Sequence, residues 1–276
     1  MSSQYKQILF RKNISRFRHI QEIAAGFSRT YGGAKIIQDD VFAIIENYAK
    51  TKDVPLEWLR FPIEDKELCA CTFVRGGRIF VLINAGIALN EQIFAAAHEL
   101  YHIRCFLEED ETELIEKGSI LDSRTIDANT TEEEELEANA FASSLLVQKD
   151  DLRQQMDIYQ IDPQNIKTDD IVMLMDIFAV PYKAVVLRLL EEKLIEEKKV
   201  EALLSVPMGN IEKWIKITGR AKRWNKIPTD CEQFGTLREN LLENKENESL
   251  PEGRIESDMK RLQEIMAKYG INENDD

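Results

Sequence analysis

The sequence predicts an α+β protein, mainly helical, and three observations carry that prediction. Apolar residues recur at helical spacing through most of the 276 residues. Strand patterns are confined to one stretch, Leu68 to Val74 and Arg78 to Ile83, flanking Gly76-Gly77. That dipeptide supplies the positive φ angles of a tight hairpin, so a small antiparallel sheet is expected there. Directly after it, Ala95-Ala96-Ala97-His98-Glu99-Leu100-Tyr101-His102 places His-Glu-x-x-His inside a run of good helix formers.

In chain order, Ile8, Ile14, Phe17, Ile20, Ile23 and Phe27 space out a first helical segment, which Gly32-Gly33 breaks. Asp39 or Asp40 caps a helix carrying Val41, Phe42, Ile44, Ile45 and Tyr48, ending before Val54-Pro55. The hairpin follows, and Asn84 closes its apolar second strand. After the motif helix, residues 108 to 131 are acidic and rich in turn formers, and are expected as a loop with little regular structure. Thr131-x-x-Glu134 is a capping box opening a helix that runs through Glu135 and Asn139. Ile171 to Phe178 and Tyr182 to Ile195 read as amphipathic helices. Asn240 to Gly253 reads as a flexible linker, and Ile255, Met259, Leu262, Ile265, Met266 and Tyr269 form the stripe of a last helix.

The motif has chemical content. Residues four apart stack on one helix face, so His98 and His102 can present two imidazole nitrogens to one metal ion. Glu99 sits about 100° further round, near the ion but off the ligand line. Metal-assisted hydrolysis needs two such ligands plus a carboxylate free to accept a proton. The helix after the capping box offers the missing ligand: Glu135 and Asn139 share a face, while Glu137 projects about 200° from Glu135. Taken alone, these acids would be a solvated helix start favoured by the dipole. Cys105 continues the His98–His102 face and is read as a core thiol below the site, with a ligand or sensor role as the alternative.

Composition narrows the class. Hydrophobic residues make up 43% of the chain, enough for a core, and no apolar run approaches a membrane span. The start, Met1-Ser2-Ser3-Gln4-Tyr5-Lys6, has no apolar signal core, so a cytoplasmic location is expected. Four cysteines (Cys69, Cys71, Cys105, Cys231) without a dense framework fit a reducing compartment. The net charge of −14 does not suit a general nucleic-acid binder. Residues 213 to 226 are the exception, with Lys213, Lys216, Arg220, Lys222, Arg223 and Lys226 interleaved with Trp214 and Trp224. That patch suits nucleic acid or an acidic surface, and equally a subdomain docked on the acidic remainder.

His98 to His102, followed by Glu135-x-x-Ala138-Asn139-x-Phe141-Ala142-x-x-Leu145-Leu146, resembles the ImmA/IrrE family of metallopeptidases. Ile93-Phe94-Ala95-Ala96-Ala97 before His98, and Phe178-Ala179-Val180-Pro181 through Val185-Val186-Leu187-Arg188-Leu189, also look like that family. The resemblance covers roughly residues 36 to 195. It implies a zincin-like (gluzincin-like) fold, one Zn2+ ion held by His98, His102 and Glu135, and Glu99 as general base. It further implies limited proteolysis of a regulatory protein, typically a helix-turn-helix (XRE-type) repressor; the alternative is a non-catalytic anti-repressor that binds the regulator without cutting it. Relatives place a strand such as 79–83 beside the metal, where a free edge can pair with an extended peptide. Asn139 would orient Glu135 or its helix as a supporting group. Three positions depart from the pattern. Tyr101 stands where the family often has Gly, and its phenol could reach the oxyanion. Val147-Gln148 stand for Met-Pro, and Pro181 stands for a capping Ser. No oxyanion stabiliser is identified; His19, Tyr101, Tyr159 and Tyr182 are the candidates. The domain reading is an N-terminal helical segment over 1–35, a metallopeptidase domain over 36–197, and a helical C-terminal extension over 198–276.

Overall fold

The computed structural model describes residues 8–33, 35–65, 67–108, 118–122, 133–227, 233–247 and 250–269. The N-terminal helical segment is two helices, α1 (Leu9–Lys12) and α2 (Ile14–Tyr31), split at Asn13, whose side chain accepts from Arg16 N and caps α2. Helix α3 (Val41–Thr51) follows. Three strands come next: β1 (Leu56–Phe61), β2 (Leu68–Arg75) and β3 (Arg78–Asn84). Gly76 and Gly77 turn the β2–β3 hairpin at φ 58° and 71°, the left-handed conformation that glycine adopts without strain. The motif helix is α4 (Leu89–Glu108), and β4 (Gly118–Asp122) and α5 (Glu133–Leu146) follow it. The Thr131 side of the expected capping box lies outside the described residues.

The sheet differs from the expected antiparallel hairpin in two ways. Its order is β4-β2-β3-β1-β5, where β5 is Gln233–Phe234, and β1 pairs with β3 in parallel, so the sheet is mixed. Strand β1 escapes a pattern reading because Leu59 follows Trp58 directly and breaks the alternation that Leu56-Glu57-Trp58 begins. Glu57 is nonetheless buried, accepting bonds from Arg78 Nη1, Thr236 N and Thr236 Oγ1, each at 2.8 Å. Strand β3 is therefore paired on both sides and has no free edge for a peptide, contrary to expectation. The acidic stretch expected as a loop contributes β4, which pairs antiparallel with β2 from Leu68↔Asp122 to Phe73↔Gly118.

Beyond α5 the chain is helical: α6 (Lys149–Ile158), α7 (Thr168–Phe178), α8 (Tyr182–Glu191), α9 (Glu197–Leu204) and α10 (Met208–Thr218). Pro181 sits at the N-cap of α8, in the capping position where relatives carry Ser. Arg188 is 2% exposed and donates from Nε to Val147 O at 2.8 Å, locking α8 to the end of α5. Two helices close the described chain, α11 (Leu237–Glu246) and α12 (Glu252–Tyr269). Residues 240–246, read from sequence as linker, are thus the latter part of α11.

One cluster of buried side chains runs from Ile8, the N-cap of α1, to Trp224, so the segments on either side of the sheet and motif helix share its core. The stretch 221–226 makes the join at α4. Trp224 O accepts from Asn90 N at 2.9 Å and Lys226 O from Leu89 N at 3.2 Å, satisfying amides that a helix start leaves open. Trp224 is buried and its indole N–H donates to Asp176 O at 2.9 Å. Trp214 of the same basic segment is 38% exposed. Among the described residues no helix is long and apolar enough to cross a membrane.

Candidate metal centre

Helix α4 is buried on nearly every side. It enters the core from the end of β3 through two polar anchors. Asn84 accepts from Ile63 N and Gly86 N and donates to Asp65 O and Leu68 O. Gln92 donates to Ile87 O at 2.8 Å and accepts from Arg60 Nη2 at 2.7 Å. A helix buried this way has no amphipathic stripe, so its polar side chains must all find partners inside the protein.

His98 and His102, one helical turn apart, are 0% and 1% exposed. Their Nε2 atoms lie 3.1 Å from each other. Glu135 of α5 closes the triangle, with Oε2 at 3.2 Å from His98 Nε2 and Oε1 at 3.5 Å from His102 Nε2. Among the described residues these three form the group of His, Cys, Asp or Glu side chains whose donor atoms all lie within 4.8 Å of one another.

The far side of each ring fixes its tautomer. His98 Nδ1 is 3.0 Å from Asn139 Oδ1, and His102 Nδ1 is 2.9 Å from Glu134 Oε1. Both oxygens only accept, so both Nδ1 atoms carry the proton and both Nε2 atoms turn lone pairs toward Glu135. Three acceptors converging without a proton among them repel one another, and a cation resolves the conflict. Two imidazoles and one carboxylate are the donors of a catalytic zinc site, whose tetrahedral ligands stand roughly 3.3 Å apart with one position left open. The residues therefore fit the ion. Protons compete with an ion for the same donors. Burial opposes charge on His102, but the bond to Glu134 and the charges of Glu99, Glu135 and Glu134 outweigh it and raise its pKa. Burial likewise works against the Glu135 carboxylate, yet the bond from His98 and the charges of both histidines hold its pKa down.

Glu99 is fully buried and stands outside the converging set. Its charge reaches His102 on one side and, on β2, Cys71, whose thiol is pushed up to about 11 by burial and then by Glu99. Strand β2 thus borders the site. Cys105 is half-buried against the core and is not in the converging set. Among the described residues Cys69, Cys71 and Cys105 form no disulfide, and Cys231 lies outside the described residues.

The structure sends the remaining sequence candidates elsewhere. Tyr101, 1% exposed, donates its hydroxyl to Glu137 Oε2 instead of facing the metal ligands. Glu137 also accepts from Arg16 Nη2 at 2.7 Å, so it points toward α2, on the side of α5 away from Glu135. Asn139 orients His98 instead of Glu135, because it reaches across to the neighbouring helix and not along its own. His19 is exposed on α2, Tyr159 is 46% exposed, and Tyr182 donates to Leu203 O at 3.3 Å. Glu134 was missed from sequence. Its place in the capping box explained it locally, and its use across the helix pair leaves no mark in spacing.

A buried His-Glu-x-x-His helix beside a mixed sheet, met by a carboxylate from the next helix, defines a zincin-like metallopeptidase fold. Residues 56–190, just under half of the chain, match the IrrE N-terminal-like domain, Peptidase_M78, and that match supports a place in the ImmA/IrrE family. No curated protein matches the chain.

Proposed function

We propose that the chain is a cytoplasmic zinc-dependent endopeptidase that makes limited cuts in a regulatory protein, with a helix-turn-helix (XRE-type) repressor as the substrate the family favours. The observation that carries this reading is Glu99, a fully buried carboxylate one residue from His98 and adjoining three converging donors. Burying a carboxylate is costly, and a module that only captures a partner has no use for one beside its metal ligands.

His98, His102 and Glu135 would hold a zinc ion, which would supply Lewis acidity toward water and toward the scissile carbonyl. Asn139 and Glu134 keep both imidazoles in the tautomer that offers Nε2. Glu99 accepts the proton from the attacking water at a carboxylate oxygen and returns it to the leaving amine nitrogen.

The Glu99→Gln protein tests the reading. It should retain zinc, lose cleavage and still bind the regulator, and capturing partners with it identifies the substrate by mass. A Glu99→Gln protein that relieves repression as well as wild type would sink the peptidase reading in favour of an anti-repressor.

A further inference from the structure

Helix α5 handles the two imidazoles unequally. From behind His98 it offers a half-buried neutral amide, Asn139; from behind His102 it offers a carboxylate, Glu134, whose side chain is 59% exposed. Between them in sequence comes Glu135, facing the opposite side of the same rings. The two Nδ1 contacts are five residues apart on α5 and four apart on α4, so one helix grips both rings along the length of the other.

We propose that Glu134 is a positioning residue for the metal centre, acting through His102: its carboxylate holds the Nδ1–H, fixes the ring plane and strengthens Nε2 as a donor. The inference rests on the zinc reading above. A charged acceptor behind an imidazole makes it the more basic ligand, and loss of such a partner typically weakens metal binding 10–100-fold. The competing explanation is that Glu134 is one of three acids, with Glu133 and Glu135, that suit the dipole at the start of α5. These explanations differ in what they ask of Glu133, which is exposed in the same first turn. A dipole role is shared between the two, whereas a bond to His102 belongs to Glu134.

Full-length protein, stripped by chelator and titrated with zinc against a chromophoric competitor, separates them. Glu134→Ala should bind zinc 10–100-fold more weakly than wild type. Glu134→Gln should fall between, since an amide oxygen still accepts the proton without the charge, and Glu133→Ala should match wild type. In the zinc-loaded protein with 15N-labelled histidine, the His102 Nδ1–H resonance should shift or broaden in Glu134→Ala while that of His98 stays. Unchanged affinity in Glu134→Ala, or an equal loss in Glu133→Ala, overturns the proposal and leaves the zinc reading standing. Wild-type protein that fails to take up zinc removes the zinc reading itself, and this proposal with it.

Discussion

Two helix pairs of this molecule, α4 with α5 and α11 with α12, treat their side chains in opposite ways. Fourteen of the twenty residues of α4 are buried, including His98, Glu99 and His102, whereas α11 buries only Leu241 and α12 packs through Ile255 and Leu262. The first pair keeps ionisable groups out of water, where each costs several kcal/mol unless it is partnered. The second leaves Leu237 and Leu242 in solvent at 44% and 43% exposure. Burial of polar groups against a steep penalty demands partners, which α5 supplies to α4, whereas α11 leaves two of its leucines in water.

The sharpest way to break this contrast is at the ligand. Glu135→Ala should lose more zinc affinity than the 10–100-fold typical of a supporting residue. Glu137→Ala, two residues on, should keep its zinc, because its carboxylate serves Arg16 and Tyr101. Metal content after dialysis decides between them, and the reverse result would move the third ligand.

Trp224→Ala tests how far the buried region extends into the C-terminal part. It removes a buried indole and its bond to Asp176, and should cost about 3–5 kcal/mol in urea unfolding.

Arg16→Ala strips a partner from a buried carboxylate and should cost roughly 1.5–3 kcal/mol near neutral pH. Its pH dependence has a definite sign. Burial pushes the Glu137 pKa up from 4.5, but the bonds from Arg16 and Tyr101 and the charge of Arg16 outweigh it and hold it below. A depressed folded-state pKa stabilises above the unfolded value and loses that contribution as pH falls through the folded one. The gap between wild type and Arg16→Ala should therefore be full at about pH 7 and close in acid below the ordinary carboxylate range of about 4. A gap that stayed constant would show that Arg16 acts by packing alone. Last, Leu242→Ala should change stability by no more than about 0.5 kcal/mol, as exposed positions do.

The convergence of His98, His102 and Glu135 was legible because helical spacing is a rigid rule. His98 and His102 at i and i+4, and Glu135 set against Glu137 by about 200°, needed only the 3.6-residue period. What resisted reading depends on which element lies alongside. Tyr101 could have faced the cleft or α2, and on a helix buried all round no stripe distinguishes them. Glu134 and Asn139 acquire their roles from the crossing of α5 with α4. The fold shows the same division. The Gly76-Gly77 hairpin was plain, but β1 breaks its own alternation at Leu59, and β4 lies in an acidic stretch where Ile120-Leu121 is one of two short apolar pairs.

The carbonyls of Trp224 and Lys226 on the first amides of α4 give the chain a direction in time. A nascent polypeptide that has emerged only as far as residue 190 already contains every side chain of the metal centre, yet the helix bearing His98 and His102 begins on two open amides. Its closure waits for residues synthesised more than 120 positions after the helix starts. Trp224 and Lys226 therefore complete the start of the helix that carries His98 and His102 well after that helix has been synthesised.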